Sequence, residues 1–206
     1  MVDNFELLKY QINTFPGCFY HLQIIKRNKD HASMRGNNRT IKQYYVEDAD
    51  YLLKHREEII SLCEMFGARA YINLSPKSYE AVSKECLLKY AVIVKTNDYK
   101  KPYKLWDNAA GSIKGVYPRW VVDLDKEFLP DKEAVLTCIR ESYQAKGIDQ
   151  EGEIGRELIK CIVPTKTGEH IITSSFPLDV LKAKFPNLDV HKNNPTILYI
   201  PRVLDN

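Results

Sequence analysis

The stretch Arg119-Trp120-Val121-Val122-Asp123-Leu124-Asp125 decides how the second half of the chain is read. Its aromatic and β-branched residues predict a buried strand. Because side chains alternate along a strand, Asp123 and Asp125 share one face while Val122 and Leu124 take the other. Two ionised carboxylates that close repel, and a divalent cation or a proton between them relieves the repulsion. The strand end is therefore a candidate metal site, set against the plainer reading of a solvated strand end or turn.

Downstream, Pro130-Asp131 starts a helix with Val135, Ile139 and Tyr143 inward and Gly147 at its end. Residues 148–155 are polar and Gly-containing, a surface loop. Leu158 to Val163 then reads as a strand. Pro164-Thr165-Lys166-Thr167-Gly168-Glu169-His170 is a small polar turn placed directly before a second strand, His170 to Thr173. Phe176 to Ala183 is a short helix, Leu188-Asp189-Val190 sets an isolated acid between apolar residues, and Thr196 to Ile200 is a final strand. Strand, helix, strand, strand, helix, strand is the order of split βαβ folds.

Upstream, residues 4–14 predict a short helix with Phe5, Leu8 and Ile12 inward, stopped by Pro16-Gly17. Cys18 to Ile25 is a strand carrying His21, read as a hydrogen-bonded core or edge histidine. Ile41 to Val46 is a second strand. Asp48 caps a helix bearing Leu52, Ile59, Cys63 and Phe66, closed by Gly67. Arg69 to Leu74 is a strand, and Ser75-Pro76 opens a helix whose buried stripe is Tyr79, Val82, Cys86 and Tyr90. The first half thus reads βαβα-like. Arg69 and Asn73 share a side that faces the same cleft as the acids, the alternative for Arg69 being a structural salt bridge.

Two segments combine features that suit nucleic acid. Lys26 to Lys42 carries Lys26, Arg27, Lys29, Arg35, Arg39 and Lys42 against one acid, Asp30, around the turn Gly36-Asn37-Asn38. Phosphate backbones attract such cations, though a solvated surface loop has the same composition. Lys95 to Lys104 interleaves Lys95, Lys100, Lys101 and Lys104 with Tyr99 and Tyr103, next to Trp106. Cations that track a backbone and rings that stack on bases suit a single strand; the alternative is a loop whose aromatics pack on the core.

Paired acids, then Gly-x-His, then an isolated hydrophobic-Asp: this order resembles the three-motif signature of the archaeo-eukaryotic primase superfamily, which includes the primase-polymerases of phages and plasmids. The resemblance covers roughly Trp120 to Pro201. It implies that Asp123, Asp125 and Asp189 hold two Mg²⁺ or Mn²⁺ ions, and that His170 contacts the phosphates of an incoming NTP or dNTP. Lys166, Thr167 and Gly168 on the adjoining turn would complete the nucleotide cradle. The zinc element of cellular primases has no counterpart, since the cysteines and histidines show no zinc-ligand spacing.

The fold class expected is α+β. An N-terminal α/β module, residues 1–115, packs on a catalytic half, residues 116–206, with an RNA-recognition-motif-like core and a mixed sheet, the two forming one primase-polymerase-like domain. The function implied is metal-dependent nucleotidyl transfer on a single-stranded DNA template, with a helicase or accessory priming subunit as a partner. Rival classes are a metal-dependent nuclease and a non-catalytic single-strand binder. A dehalogenase-type phosphatase also uses Asp-x-Asp, but here Glu127 stands where its Thr or Val would follow.

Composition sets the remaining bounds. A net charge of +3 over 206 residues is too small to argue nucleic-acid binding except through local patches. The opening Met1-Val2-Asp3-Asn4-Phe5-Glu6 lacks signal-peptide character, and no apolar run is long enough to span a bilayer. The expectation is no membrane and a cytoplasmic location, the host cytoplasm if the chain is phage-encoded. Five widely spaced cysteines read as free, buried thiols in a reducing compartment.

Overall fold

A computed structural model describes residues 1–30, 37–100, 102–144 and 158–202. The loop expected at 148–155, Gly147, the inward placement of Tyr143, and Arg35, Gly36 and Lys101 of the basic segments lie outside the described residues. The first half runs β1 (Val2–Asp3), α1 (Phe5–Leu8), β2 (Cys18–Lys26), β3 (Arg39–Val46), α2 (Ala49–Lys54), α3 (Arg56–Phe66), β4 (Arg69–Ile72), β5 (Lys77–Ser78), α4 (Tyr79–Thr96) and α5 (Leu105–Ser112). The second half runs β6 (Trp120–Leu124), α6 (Lys132–Gln144), β7 (Ile159–Pro164), β8 (Glu169–Thr173), α7 (Asp179–Lys184), β9 (Asp189–His191) and β10 (Thr196–Ile200).

These strands form two sheets, and the protein is α+β. The larger has the order β1-β10-β4-β2-β3, with β5 pairing β2, and the smaller has the order β7-β8-β6-β9. Every pairing in both is antiparallel, so the mixed sheet expected for the second half is corrected. The reason is local. The Thr165–Gly168 turn joins β7 and β8 as a hairpin, and β8 slots between β7 and β6, separating the two strands that the α6 crossover leaves parallel.

The last strand is also placed differently. Asp189–His191, too short to announce itself by periodicity, closes the smaller sheet beside β6, while β10 joins the larger sheet between β1 and β4. All five residues of β10 are buried. A continuous apolar run is what a strand covered on both faces requires.

Smaller corrections have equally local causes. The helix begun by Asp48, whose carboxylate accepts from Tyr51 N at 2.7 Å, breaks at His55 into α2 and α3. Gly67 ends α3 in the left-handed region at φ 56°. Ser78 rather than Ser75 caps α4, because Ser75 is taken by Arg119: its hydroxyl accepts from Arg119 N at 2.8 Å. Tyr90, expected to be buried, is exposed. Sequence reading passed over α5, whose Ala109 and Ala110 pack with Phe19 and Val82.

The main hydrophobic cluster takes Leu22, Ile24, Ala70, Ile72 and Leu198 from the larger sheet together with Val121, Val163 and Ile172 from the smaller one. A second cluster joins Val122, Leu124 and Ile171 to Val135, Ile139 and Leu181 of α6 and α7. Polar ties fix the halves further. Buried Asn4 donates to the carbonyls of Pro164 and Ile197, both at 3.0 Å. Fully buried Lys77 donates to Asn193 Oδ1 and Ile113 O, both at 2.6 Å. A Cβ on Gly115 would meet Ser75 Cβ at 2.4 Å, so only glycine lets these backbones approach. Among the described residues no helix is long and apolar enough to cross a membrane.

Candidate active site

Strand pairing assembles the candidate site from three separate stretches of sequence. β6 pairs with β8 so that Asp123 faces His170, and with β9 so that Asp123 faces Asp189. Residues directly opposite in an antiparallel sheet lie on the same face, with Cα atoms about 5 Å apart. His170, Asp123 and Asp189 therefore form a row across three strands. Val163 continues the row beyond His170. The row below it, Cys161, Ile172, Val121 and His191, lies on the same face, and its apolar members Ile172 and Val121 enter the core shared with the larger sheet. One face thus begins as core and ends as a cluster of ionisable groups.

Asp123 and His170 are largely withdrawn from water, with side chains 29% and 13% exposed and His170 Nε2 3.5 Å from Asp123 Oδ1. The other ring nitrogen, Nδ1, lies 2.8 Å from the hydroxyl of Thr196, which fixes the ring from the β10 side. The adjacent His170 imidazole holds the Asp123 carboxyl below its usual range against the opposing effect of burial, and the charges of His191 and Lys29 add to the depression. Asp123 is accordingly a carboxylate with three cationic or potentially cationic neighbours.

Asp125 and Asp189 are exposed. Asp125 lies one residue past β6, where its carbonyl accepts from Phe128 N at 2.8 Å in the turn leading to α6. Asp189 opens β9, and the turn before it is held by Lys182, which donates to Leu188 O at 2.6 Å. The donor set is all oxygen on the three acids, which suits Mg²⁺ or Mn²⁺. Among the described residues, no three His, Cys, Asp or Glu side chains converge closely enough to form a metal cluster as they stand. Asp123 and Asp189 are adjacent in register, and Asp125 follows Asp123 by two.

The turn expected to cradle phosphates is tightly built. Gly168 N donates to Thr165 Oγ1 at 3.0 Å and Thr165 N to Gly168 O at 2.9 Å. A Cβ on Gly168 would meet Leu124 O at 2.2 Å, so the glycine lets this turn press against the end of β6. Lys166 and Thr167 are exposed at its tip. Glu169, on the opposite face, pairs with Lys132 of α6 at 2.6 Å.

The structure adds groups that sequence reading did not single out for the site: Lys29, His191 and Thr196. His191 follows Asp189 by two, the spacing that drew attention to Asp123 and Asp125, so a signal existed. Nothing in the sequence ties Lys29 or Thr196 to Asp123. Near Lys29, Arg69 forms a buried ion pair with Asp30, while Arg27 donates to Tyr71 Oη at 3.2 Å. His21 does not join the acids. Its Nε2 meets Gln43 Oε1 at 2.5 Å, and burial lowers its pKa. All five cysteines are free, and burial pushes Cys63 up to about 12 and Cys161 up to about 11, so neither is a thiolate nucleophile at neutral pH.

Of the two basic segments, the first spends part of its charge internally, since Lys42 pairs with Glu58 and Arg27 with Tyr71. The second leaves Tyr99 and Tyr103 exposed, with Lys104 Nζ 5.8 Å from the Tyr103 ring centroid. Trp106 instead packs against Phe19. Comparison with protein-family models, with curated proteins and with solved structures finds no match to this chain.

Proposed function

We propose that the chain is a metal-dependent nucleotidyltransferase of the primase-polymerase type, acting on a single-stranded DNA template. The observation that carries this reading is the row His170, Asp123, Asp189, in which three short motifs far apart in sequence become cross-strand neighbours on one face. Helix-crossed strands in the order β7-β8-β6-β9 also support an RNA-recognition-motif-like, split βαβ reading of the second half.

In this reading Asp123, Asp125 and Asp189 hold two divalent cations. Such ions, when bound, neutralise the triphosphate and the charge that develops on phosphoryl transfer. The chain's own groups do the positioning. Asp123 stays ionised because His170, His191 and Lys29 surround it. Thr196 orients His170 so that Nε2 points toward the acids, where it donates to a phosphate oxygen. Lys166 and Thr167, at the tip of a turn anchored by Gly168, extend the phosphate contacts. Exposed Tyr99 and Tyr103 with Lys100 and Lys104 offer stacking rings and backbone cations to a single strand without sequence preference.

The test is incorporation of labelled nucleotides on primed and unprimed single-stranded DNA with Mg²⁺ or Mn²⁺. Expected is metal-dependent product that Asp123→Ala abolishes while single-strand binding persists. Template cleavage without added nucleotides would replace the reading with a nuclease. Binding without turnover would replace it with a non-catalytic module.

A further inference from the structure

Residues 73–77 of the first half grip both acid-bearing strands of the second. At the entry to β6, Ser75 Oγ accepts from Arg119 N at 2.8 Å and donates to Arg119 O at 3.3 Å. Val116 N donates to Pro76 O at 2.8 Å beside it. At the exit of β9, Asn193 is held from three directions. Its Oδ1 accepts from Lys77 Nζ at 2.6 Å, its backbone carbonyl accepts from Asn73 Nδ2 at 2.9 Å, and its own Nδ2 donates to Ile113 O at 3.3 Å. Asn73, Ser75 and Lys77 are all buried. The two gripped residues stand in a fixed relation. β6 and β9 pair Val121 with His191, Val122 with Val190 and Asp123 with Asp189. Continued two residues outward, that register sets Arg119 against Asn193.

We propose that Lys77 and Asn193 lock the register of β9 on β6, which makes Lys77 a positioning residue for Asp189. β9 needs such a hold, since it has three residues and lies at the edge of its sheet. Leu188 and Val190 pack with Val122 and Leu124, which forbids a one-residue slip because every side chain would change face. A two-residue slip leaves them on the same face. It would set Val190 against Leu124 or Trp120 and carry Asp189 opposite Asp125 or Val121, so the apolar pattern does not choose among three registers. Lys182 holds the turn into β9 from within the second half, and the Asn193 lock holds its exit from the first. Burying an ammonium against neutral oxygens costs more than burying an apolar side chain of similar volume, and a single defined arrangement is what such a group can provide in return. The consequence for catalysis rests on the nucleotidyl-transfer reading; the register does not.

The test reads register and metal affinity separately on the full chain. Without metal or nucleotide, nuclear Overhauser contacts should join Val190 to Val122 in the parent, and Lys77→Met and Asn193→Leu should lose that contact or exchange it for one to Leu124 or Trp120. With a nucleoside triphosphate, the same variants should bind Mn²⁺ at least ~10-fold more weakly than the parent, the loss typical of groups that orient a ligand. Asn193→Asp keeps the acceptor oxygen for Lys77 and should keep both behaviours. Asn193 is half-buried on a connection, so its variants decide the matter if Lys77→Met does not fold. Variants that keep the Val122–Val190 contact overturn the proposal, whatever their stability. Variants that lose the contact yet bind Mn²⁺ as the parent does overturn the positioning role of Lys77. A parent that binds no Mn²⁺ removes the nucleotidyl-transfer reading, while the contact still decides the register.

Discussion

The two faces of the smaller sheet are built from the same strands, one residue out of phase, and they differ in kind. On one face Val122, Leu124 and Ile171 meet Val135, Ile139 and Leu181 in an apolar layer. On the other, the core of Val121 and Ile172 gives way to His170, Asp123 and Asp189. A strand end needs no such groups to fold, since buried ionisable side chains bring desolvation costs that apolar ones do not. The contrast separates residues that hold the sheet together from residues to which the proposed function assigns chemistry, and it can be broken by experiment.

The largest effect belongs to the apolar face. Leu124→Ala should cost about 2–5 kcal/mol in denaturant unfolding by leaving a cavity under α6 and α7. Asp123→Asn, on the neighbouring residue and the other face, should change stability by less than about 1 kcal/mol, because it removes a loose polar contact rather than packing. Equal losses from the two substitutions would erase the distinction between the faces.

Lys77 sharpens the comparison by placing an ionisable group inside the fold, where its charge costs stability. Burial pushes its ammonium down to about 8, and its two hydrogen-bond partners are neutral oxygens. Between that value and the ordinary lysine value of 10.5 the unfolded chain binds the extra proton, so this group makes stability rise with pH across the window. The rise should be on the order of 3 kcal/mol in unfolding measured from pH 8 to pH 10.5. Lys77→Met should flatten it. A profile unchanged by Lys77→Met would assign the pH dependence to other groups.

Legibility in the sequence followed the range of the interactions. Period-two spacing marked Asp123 and Asp125 on one face, and Gly168 before His170 marked a tight turn onto a strand, because those signals are local. The place of Asp189 on a strand beside the pair was legible from its apolar flanks, but the bounds Asp189–His191 were not, because three residues are too few to show a period. The transfer of Thr196–Ile200 to the larger sheet was hidden because a run buried on both faces looks the same in either sheet. Thr196 and Lys29 reach the site only through tertiary register, which a linear reading does not contain. The all-antiparallel pairing of the second half was not legible for a similar reason: that β8 enters between β6 and β7 is set by tertiary pairing.

A smaller effect tests the orientation of His170. Thr196→Val removes the hydroxyl at Nδ1, and His170→Ala removes the group that does most to hold the Asp123 carboxyl low. Either change should raise the Asp123 pKa toward 3.8, read by NMR titration of the carboxyl carbon. The sign for stability follows. A depressed carboxyl stabilises the fold above its unfolded pKa, and that contribution fades as pH falls through the folded value. The variants should lose acid resistance, with Thr196→Ser retaining the parent behaviour.

The smallest effect lies farthest from the acids. Lys104→Gln, beside exposed Tyr103, should lower the slope of log affinity against log salt by about 0.7 for single-stranded DNA, one phosphate contact's share. Lys42→Gln should leave it unchanged, because Lys42 is paired with Glu58. Equal slopes for all three proteins would remove the α4–α5 connection from the template path.

The most direct test of the central claim, that Asp123 and Asp189 act as one site across β6 and β9, is a titration of the protein with Mn²⁺ and a nucleoside triphosphate, with free Mn²⁺ counted by electron paramagnetic resonance. The parent should bind Mn²⁺ in the presence of nucleotide, and Asp123→Ala and Asp189→Ala should each lose that binding to the same extent. Retention of full Mn²⁺ binding by Asp189→Ala would contradict the account.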